Sequence, residues 1–141
     1  MAKVADTGKN SAAPGASDAG EIGRELMAQL MGPEYLERRA GLRNAFNGVL
    51  QDYSEEVCFG RIWSRKGISP KQRSIINIAM LIALNRMNQL STHLEGALNN
   101  GCSVEEIQEI LLQAAVYCGL PAATDAFKVA EQVLKAKKLL S

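Results

Sequence analysis

The sequence is poor in the residues from which most catalytic and metal sites are built. Its 141 residues include one histidine, one tryptophan and three cysteines. This set supplies no zinc site, and the chain has no glycine-rich phosphate loop and no nucleophile elbow. We therefore expect no metal and no cofactor. The cysteines are widely spaced and contain no C-x-x-C pair, which argues against a disulfide framework and makes the cytoplasm the expected compartment.

Charge and hydropathy exclude two further classes of protein. The formal net charge is +1, and no run of lysine and arginine is dense enough to mark a nucleic-acid surface. The longest uninterrupted apolar run covers residues 78–84, far short of the ~20 residues that cross a bilayer. We expect neither nucleic acid nor a membrane as a partner.

The chain divides into a short tail and one helical domain. Residues 1–17 are mostly Ala, Gly, Ser and Lys with almost nothing to bury, which predicts a disordered tail. Residues 18–141 contain repeated helix start and stop signals and no convincing strand. The sequence therefore predicts an all-α domain with short connections.

Several helix boundaries follow from cap residues. Ser69 with Gln72, and Ser103 with Glu106, each predict a capping box at a helix start. Glycine suits the left-handed conformation that ends many helices. We predict this conformation at Gly101, and helix ends at Gly32 and Gly119.

The segment between residues 33 and 63 is predicted as two helices. Pro33 occupies a first helical position, and an apolar stripe continues this helix through Leu42, Phe46, Val49 and Leu50. Ser54, followed by two acidic residues, is predicted to cap the next helix.

The helix predicted over residues 70–86 is apolar on almost every side. Ile75, Ile78 and Ile82 form one stripe, while Met80 and Leu84 point in other directions. A helix with this pattern is buried on several sides. In so short a chain, a second subunit is the simplest way to bury it, so we predict a homo-oligomer.

The single histidine lies on an apolar face. His93 shares helical spacing with Leu90, Leu94, Ala97 and Leu98. One interpretation is a core histidine that packs against its neighbours; the other is a catalytic residue. A partly buried imidazole titrates near the working pH of most enzymes, which makes His93 our catalytic candidate.

Further polar residues are candidates for holding a ligand. Arg86, if helix 70–86 is continuous, projects near its inward stripe and could bind a carboxylate, or it could only neutralise the helix end. A ligand could bind against Trp63 between the cations Arg61 and Arg65. Alternatively, the tryptophan fills the core and both arginines are solvent-exposed. Asn99 could orient a ligand or help to end its helix.

Residues 61–130 resemble the carboxymuconolactone decarboxylase family. The resemblance is carried by three segments in order, "WSRKGIS", "HLEGALNNG" and "EILLQAAVYCGLPAA". It covers about half of the chain continuously. It implies an all-α fold of the alkylhydroperoxidase D type and a homohexamer, a trimer of dimers.

The residues at the positions of the redox motif distinguish two branches of that family. The redox branch carries a glutamate and a C-x-x-C pair before its histidine, and here those positions are Ser74, Arg86 and Gln89. Without a dithiol, peroxidase chemistry lacks its reactive centre. The other branch resembles the lactone decarboxylases of protocatechuate breakdown, the β-ketoadipate pathway, and keeps the histidine alone.

The resemblance therefore implies a cofactor-independent lyase. Its expected reaction converts 4-carboxymuconolactone, a small dicarboxylic lactone, to β-ketoadipate enol-lactone and CO2. His93 would act on a proton or an oxyanion, and Arg86 with Arg61 or Arg65 would hold carboxylates. At Gln89 many family members carry an acidic residue, and this departure leaves a non-catalytic oligomer that binds a small acid as another hypothesis.

Overall fold

The computed structural model describes residues 16–140, and within that range the chain forms helices and no strands. The tail predicted for residues 1–17 lies outside the described residues except for its last two, which begin the first helix. The all-α prediction is confirmed. The helices are α1 (Ala16–Met31), α2 (Pro33–Gly41), α3 (Gly48–Tyr53), a π-helix (Ser54–Trp63), α4 (Pro70–Ala83), α5 (Met87–Asn99), α6 (Val104–Cys118) and α7 (Leu120–Ala136).

The predicted caps form as expected. The Ser69 and Ser103 side chains each accept a hydrogen bond from the backbone N–H three residues later, and both capping boxes are complete. The three predicted glycine ends adopt positive φ, which is the conformation that favours glycine. These angles are 90° at Gly32, 88° at Gly101 and 90° at Gly119.

The prediction for residues 33–63 is wrong in two respects. Helix α2 ends at Gly41, so the predicted apolar stripe is not a helix face, and Phe46 at its centre is 92% exposed. Ser54 does not cap a helix, because its φ of −63° and ψ of −43° are helical and α3 continues into the π-helix. Local apolar spacing matched a helix here, although nothing in residues 16–140 packs against these side chains.

Helices α4 to α7 surround the larger hydrophobic core. Each helix contributes apolar side chains to this core, including Ile78 from α4, Leu94 from α5, Leu111 from α6 and Ala130 from α7. Helices α4 and α5 form a hairpin whose turn contains Asn85 at a φ of 53°. This hairpin carries His93 and therefore positions the candidate site.

Only one side of α4 is buried within the chain. Ile78 and Ile82 are fully buried, whereas Ile76, Met80 and Leu84 are exposed. The predicted burial of this helix on several sides is not seen among the described residues, and the second subunit that would complete it stays a prediction.

A second core lies between α1 and the π-helix. Met27 and Leu30 of α1 pack with Phe59 and Trp63 of the π-helix. The two helices approach so closely that a Cβ atom at Gly23 would clash with the Glu55 carbonyl oxygen. The π-helix therefore holds Trp63 against α1.

The same interface buries the carboxylate of Glu55, and no feature of the sequence predicted that burial. Glu55 is 8% exposed, and its carboxylate lies 3.3 Å from Arg24 Nη1 and 3.6 Å from Arg39 Nε. Arg39 also donates a hydrogen bond to the Gln51 carbonyl oxygen. This cluster joins α1, α2 and the π-helix.

Between residues 16 and 140, no helix is both long and apolar enough to cross a membrane.

Candidate active site

His93 lies on the inner half of helix α5. Leu90, Leu94 and Ala97 on the same face are buried, while His93 itself is half-buried. Burial lowers the pKa of the His93 imidazole below its ordinary value, because an apolar environment disfavours the charged ring. Among the described residues none forms a hydrogen bond with this imidazole, so its nitrogen atoms are free to meet a ligand.

Gln89 and Arg86 continue the His93 face toward the start of α5. They precede His93 by four and seven positions, and these spacings place side chains on one side of a helix. Both side chains are exposed. We call Arg86, Gln89 and His93 the α5 strip.

The position of Arg86 differs from the sequence prediction. Helix α4 ends at Ala83, and Arg86 is the N-cap of α5 rather than a late residue of a continuous helix. Its side chain therefore does not extend the inward stripe of α4, and it does not neutralise that helix end from within. Instead it lies at the N-terminal end of α5.

The N-terminal end of α5 is electropositive. Among the side chains that the structure describes, none accepts a hydrogen bond from the first N–H groups of this 13-residue helix. Free N–H groups and the helix dipole both favour an anion there. The guanidinium of Arg86 adds a full positive charge, so this end of the α5 strip suits a carboxylate.

Trp63 and Arg65 lie in a different place. Both line a cleft of about 500 Å³ between α1 and the connection to α4, and we call it the Trp63 cleft. Trp63 is 8% exposed and stacks on Phe59 with 5.6 Å between ring centroids. Arg61 points elsewhere and binds Glu56 at 2.8 Å.

The Arg86 end of the α5 strip and the Trp63 cleft lie at opposite ends of α4. Ser69 and Pro70 at its first turn line the cleft, and Arg86 follows its last turn. Fourteen helical residues span about 20 Å. A single small substrate cannot contact both Arg65 and Arg86 of the same chain.

Asn99 belongs to neither arrangement. Six positions separate it from His93, which turns its side chain to another side of α5. Its amide lies 3.5 Å from the Leu30 carbonyl oxygen, and it lines a small cleft of about 200 Å³ with Glu95 and Lys137. The structure thus places the predicted ligand residues in the α5 strip and the Trp63 cleft, and it sets Arg61 and Asn99 apart from both.

Comparison with known proteins gives the family. The model of the carboxymuconolactone decarboxylase family matches residues 49–132. The chain belongs to the carboxymuconolactone decarboxylase family. The resemblance drawn from residues 61–130 is therefore confirmed.

Two relatives of this family member carry names that specify an activity. A 4-carboxymuconolactone decarboxylase from Acinetobacter baylyi is 35% identical over 113 residues, 80% of this chain and 84% of that protein. A nitrosuccinic acid decarboxylase from Metarhizium robertsii is 36% identical over 114 residues, 79% of this chain and 78% of that protein. The relatives support the prediction of a decarboxylase of this family.

In this member of the family, the position expected for the redox glutamate has a structural role. Ser74 is buried, and its hydroxyl accepts a hydrogen bond of 2.9 Å from the Asn100 amide. This bond ties the start of α4 to the end of α5. A glutamate at this position would need different partners.

The cysteines differ in exposure. Cys102 is buried and Cys118 is half-buried, whereas Cys58 is exposed. Burial raises the pKa of the Cys102 thiol, which makes it a poor nucleophile. Among residues 16–140, no three His, Cys, Asp or Glu side chains are grouped to hold a metal ion.

Proposed function

We propose that this protein is a cofactor-independent decarboxylase that converts 4-carboxymuconolactone to β-ketoadipate enol-lactone and CO2. The observation that carries the proposal is the α5 strip, in which a half-buried imidazole and an arginine share one face of a helix whose N-terminal end is uncapped. A relative at 35% identity bears the name of this activity. The three unpaired cysteines favour a cytoplasmic location.

The substrate itself supplies the electron sink for this reaction. The departing carboxylate is attached to a ring carbon that is conjugated, through the double bond, with the lactone carbonyl. When the C–CO2 bond breaks, its electron pair moves through the double bond onto the carbonyl oxygen and forms a dienolate. A proton then adds to the ring carbon next to the carbonyl. The protein has to hold the carboxylates and stabilise the oxyanion.

The α5 strip provides groups for both tasks. Arg86 and the first N–H groups of α5 bind the carboxylate that stays on the product. His93 is neutral near pH 7 because burial lowers its pKa, so its ring N–H donates a hydrogen bond to the developing oxyanion. The Gln89 amide lies between them and orients the lactone. In this arrangement solvent water, rather than an imidazolium, supplies the proton to carbon.

Nitrosuccinate is a second candidate substrate, favoured by the relative at 36% identity. It is also a small dicarboxylate, and loss of CO2 from the carbon that bears the nitro group leaves a nitronate. Here the nitro group takes the electron pair that the lactone carbonyl takes in the first reaction. The α5 strip would therefore act in the same way, with His93 donating to a nitronate oxygen.

Substrate trials separate these candidates from the alternatives. Purified protein is offered 4-carboxymuconolactone, nitrosuccinate and, in a third assay, a hydroperoxide with a dithiol reductant. Consumption of the lactone with release of CO2 supports the proposal. Turnover of nitrosuccinate alone contradicts the lactone assignment, peroxide consumption alone indicates the redox branch, and no turnover favours a non-catalytic oligomer that binds a small acid.

Two substitutions test the α5 strip directly. His93→Gln should lower turnover by about 10²–10³-fold with little change in melting temperature, because the glutamine amide does not occupy the position of the imidazole N–H that meets the oxyanion. Arg86→Gln should chiefly raise KM, because it holds a carboxylate equally in the ground and transition states. Arg38→Gln removes an exposed arginine on another helix and should change neither value. Near-normal turnover of His93→Gln with a lowered melting temperature would show that His93 is a core residue.

We also propose that the protein is a homohexamer, a trimer of dimers. Exposed apolar side chains cover α4 and α6, including Met80, Leu84, Val116 and Tyr117. Between these helices runs an apolar groove of about 540 Å³. Apolar surface of this extent in a protein usually marks an interface.

Light scattering measures the assembly. We expect a stable hexamer at micromolar concentration and smaller species for Val116→Glu, which puts a charge on the apolar surface of α6. Leu139→Glu, at an exposed apolar residue near the end of the chain, is the control. A folded wild-type monomer under the same conditions would contradict the proposal.

A further inference from the structure

The Trp63 cleft has the shape and lining of a ligand site. Its volume of about 500 Å³ lies within the range of small-molecule sites. The floor is apolar and is formed by Ile22, Leu26, Trp63 and Ile68. A compact apolar body of six or seven carbon atoms would fill only part of it, so the cleft has room for a polar group as well.

Positive charge predominates at the rim of the cleft. Arg65 and Lys66 line it, and within the described chain neither of them forms an ion pair. Glu25 is the only acidic residue of the lining, so the lining carries one excess positive charge. Unpaired cations beside an apolar floor match a ligand that carries an anionic group on an apolar body.

Two further features favour an anionic ligand in the cleft. Ser69 and Pro70 place the N-terminal end of α4 at the cleft, and a helix of 14 residues directs its positive dipole end toward a bound anion. Arg73 donates a hydrogen bond of 3.1 Å to the Arg65 carbonyl oxygen. That bond holds the connection which carries Arg65 and Lys66, so the cations are presented from an anchored segment.

We infer that the Trp63 cleft is a second ligand site of this protein and that it binds a carboxylate attached to a compact apolar body. The carboxylate lies between Arg65 and Lys66, and the apolar body lies on Trp63. About 20 Å of α4 separates this site from Arg86. The inference therefore does not rest on the proposed function, and it assigns Trp63 and Arg65 to a ligand that the α5 strip does not hold.

Trp63 fluorescence gives a direct test, because this residue is the only tryptophan of the chain. The probe is cyclohexanecarboxylate, which does not absorb at the excitation wavelength. Its neutral isostere cyclohexanecarboxamide tests the charge, and acetate tests the apolar body. We expect a saturable change in Trp63 emission with cyclohexanecarboxylate, and at least about tenfold weaker responses with the other two compounds.

Substitutions assign the charge to individual residues. Arg65→Gln and Lys66→Gln should each weaken binding of cyclohexanecarboxylate by about three- to tenfold, and the double variant should bind acid and amide equally. Glu25→Gln removes the one negative charge and should tighten binding by about two- to fivefold. Arg38→Gln is the matched arginine control, because Arg38 is exposed on α2 and does not line the cleft, and it should leave the titration unchanged.

Three results would overturn the inference. No saturable change in emission would show that the cleft takes no such ligand. Equal responses to the acid and the amide would leave an apolar cleft without anion recognition. Emission that depends on protein concentration and ignores cyclohexanecarboxylate would show that a second copy of the chain covers Trp63 instead. Because fluorescence requires no turnover, failure of the decarboxylase assays would leave this test intact.

Discussion

Replacing Gly23 by alanine should destabilise the protein, although alanine is the better helix former. Gly23 lies in α1 at its closest approach to the π-helix. An added Cβ would overlap the carbonyl oxygen and carbon of Glu55 and would lie 3.0 Å from the Gly60 amide nitrogen. All three atoms belong to the backbone, so no side chain can rotate away to make room. The two helices must separate instead.

The magnitude follows from two opposing effects. Alanine stabilises a helix interior by about 0.5–1 kcal/mol relative to glycine. Overpacking usually costs about 1–3 kcal/mol, and here it also loosens the packing of Met27 and Phe59 against each other. Because the overlap is with backbone atoms, the upper end of the overpacking range applies, and we expect Gly23→Ala to lower the free energy of unfolding by about 2 kcal/mol. For a domain of this size that corresponds to a fall in melting temperature of about 5–10 °C.

Gly20→Ala is the matched control on the same helix. The nearest atom to its added Cβ is Arg24 Nη1 at 3.7 Å, which is ordinary contact with a flexible side chain. This variant should be as stable as the wild type or more stable, by up to about 1 kcal/mol. Urea and thermal unfolding of both variants are measured at one protein concentration, because association adds to apparent stability.

The comparison between the two glycine variants tests whether α1 and the π-helix are in backbone contact. If Gly23→Ala unfolds at the same urea concentration as Gly20→Ala, then α1 and the π-helix are not in backbone contact. Trp63 would then be held in place by contacts other than the close packing of α1 on the π-helix.

Three further predictions concern other parts of the molecule. Replacing Cys58, Cys102 and Cys118 together by alanine should leave decarboxylase turnover within about tenfold, or ~1.4 kcal/mol in the barrier, and loss of turnover in a folded variant would return attention to thiol chemistry. Glu55→Gln should lower the free energy of unfolding by about 1–3 kcal/mol because it leaves Arg39 without its partly buried partner, whereas the exposed Glu37→Gln should change little. Wild-type stability should fall as the pH drops below 6.5, the ordinary pKa of His93, because the unfolded chain then binds a proton that the folded chain does not. The fall should stop once the pH is below the lowered pKa of His93 in the folded state, where both forms bind the proton. His93→Gln should lack that part of the pH dependence in parallel urea titrations, and an unchanged slope would show that His93 does not cause it.

The sequence by itself determined the features that depend on a few neighbouring residues. The capping boxes at Ser69 and Ser103, the positive φ of Gly101 and the helix end at Gly119 were predicted correctly. Each of these is a contact or a backbone angle within one turn of helix, so the local residues suffice to specify it. The family was also identified from contiguous segments.

Apolar periodicity predicted burial only where a partner helix exists. His93 was predicted on the inner face of its helix, and it is half-buried there. The same kind of stripe at Phe46 and Leu50 is exposed, because no other helix of the described chain packs on it. A stripe states which face prefers burial, but the partner that covers it belongs to tertiary or quaternary structure.

Tertiary structure alone decided which candidate residues share a site. Arg65 and Arg86 are close to the same helix in sequence, yet α4 places them about 20 Å apart. Glu55 looks like an ordinary acid at a helix start, yet it is buried between Arg24 and Arg39. Distances and burial of this kind depend on how whole helices pack, and a helix-length separation or a buried ion pair leaves no mark on the local pattern of residues.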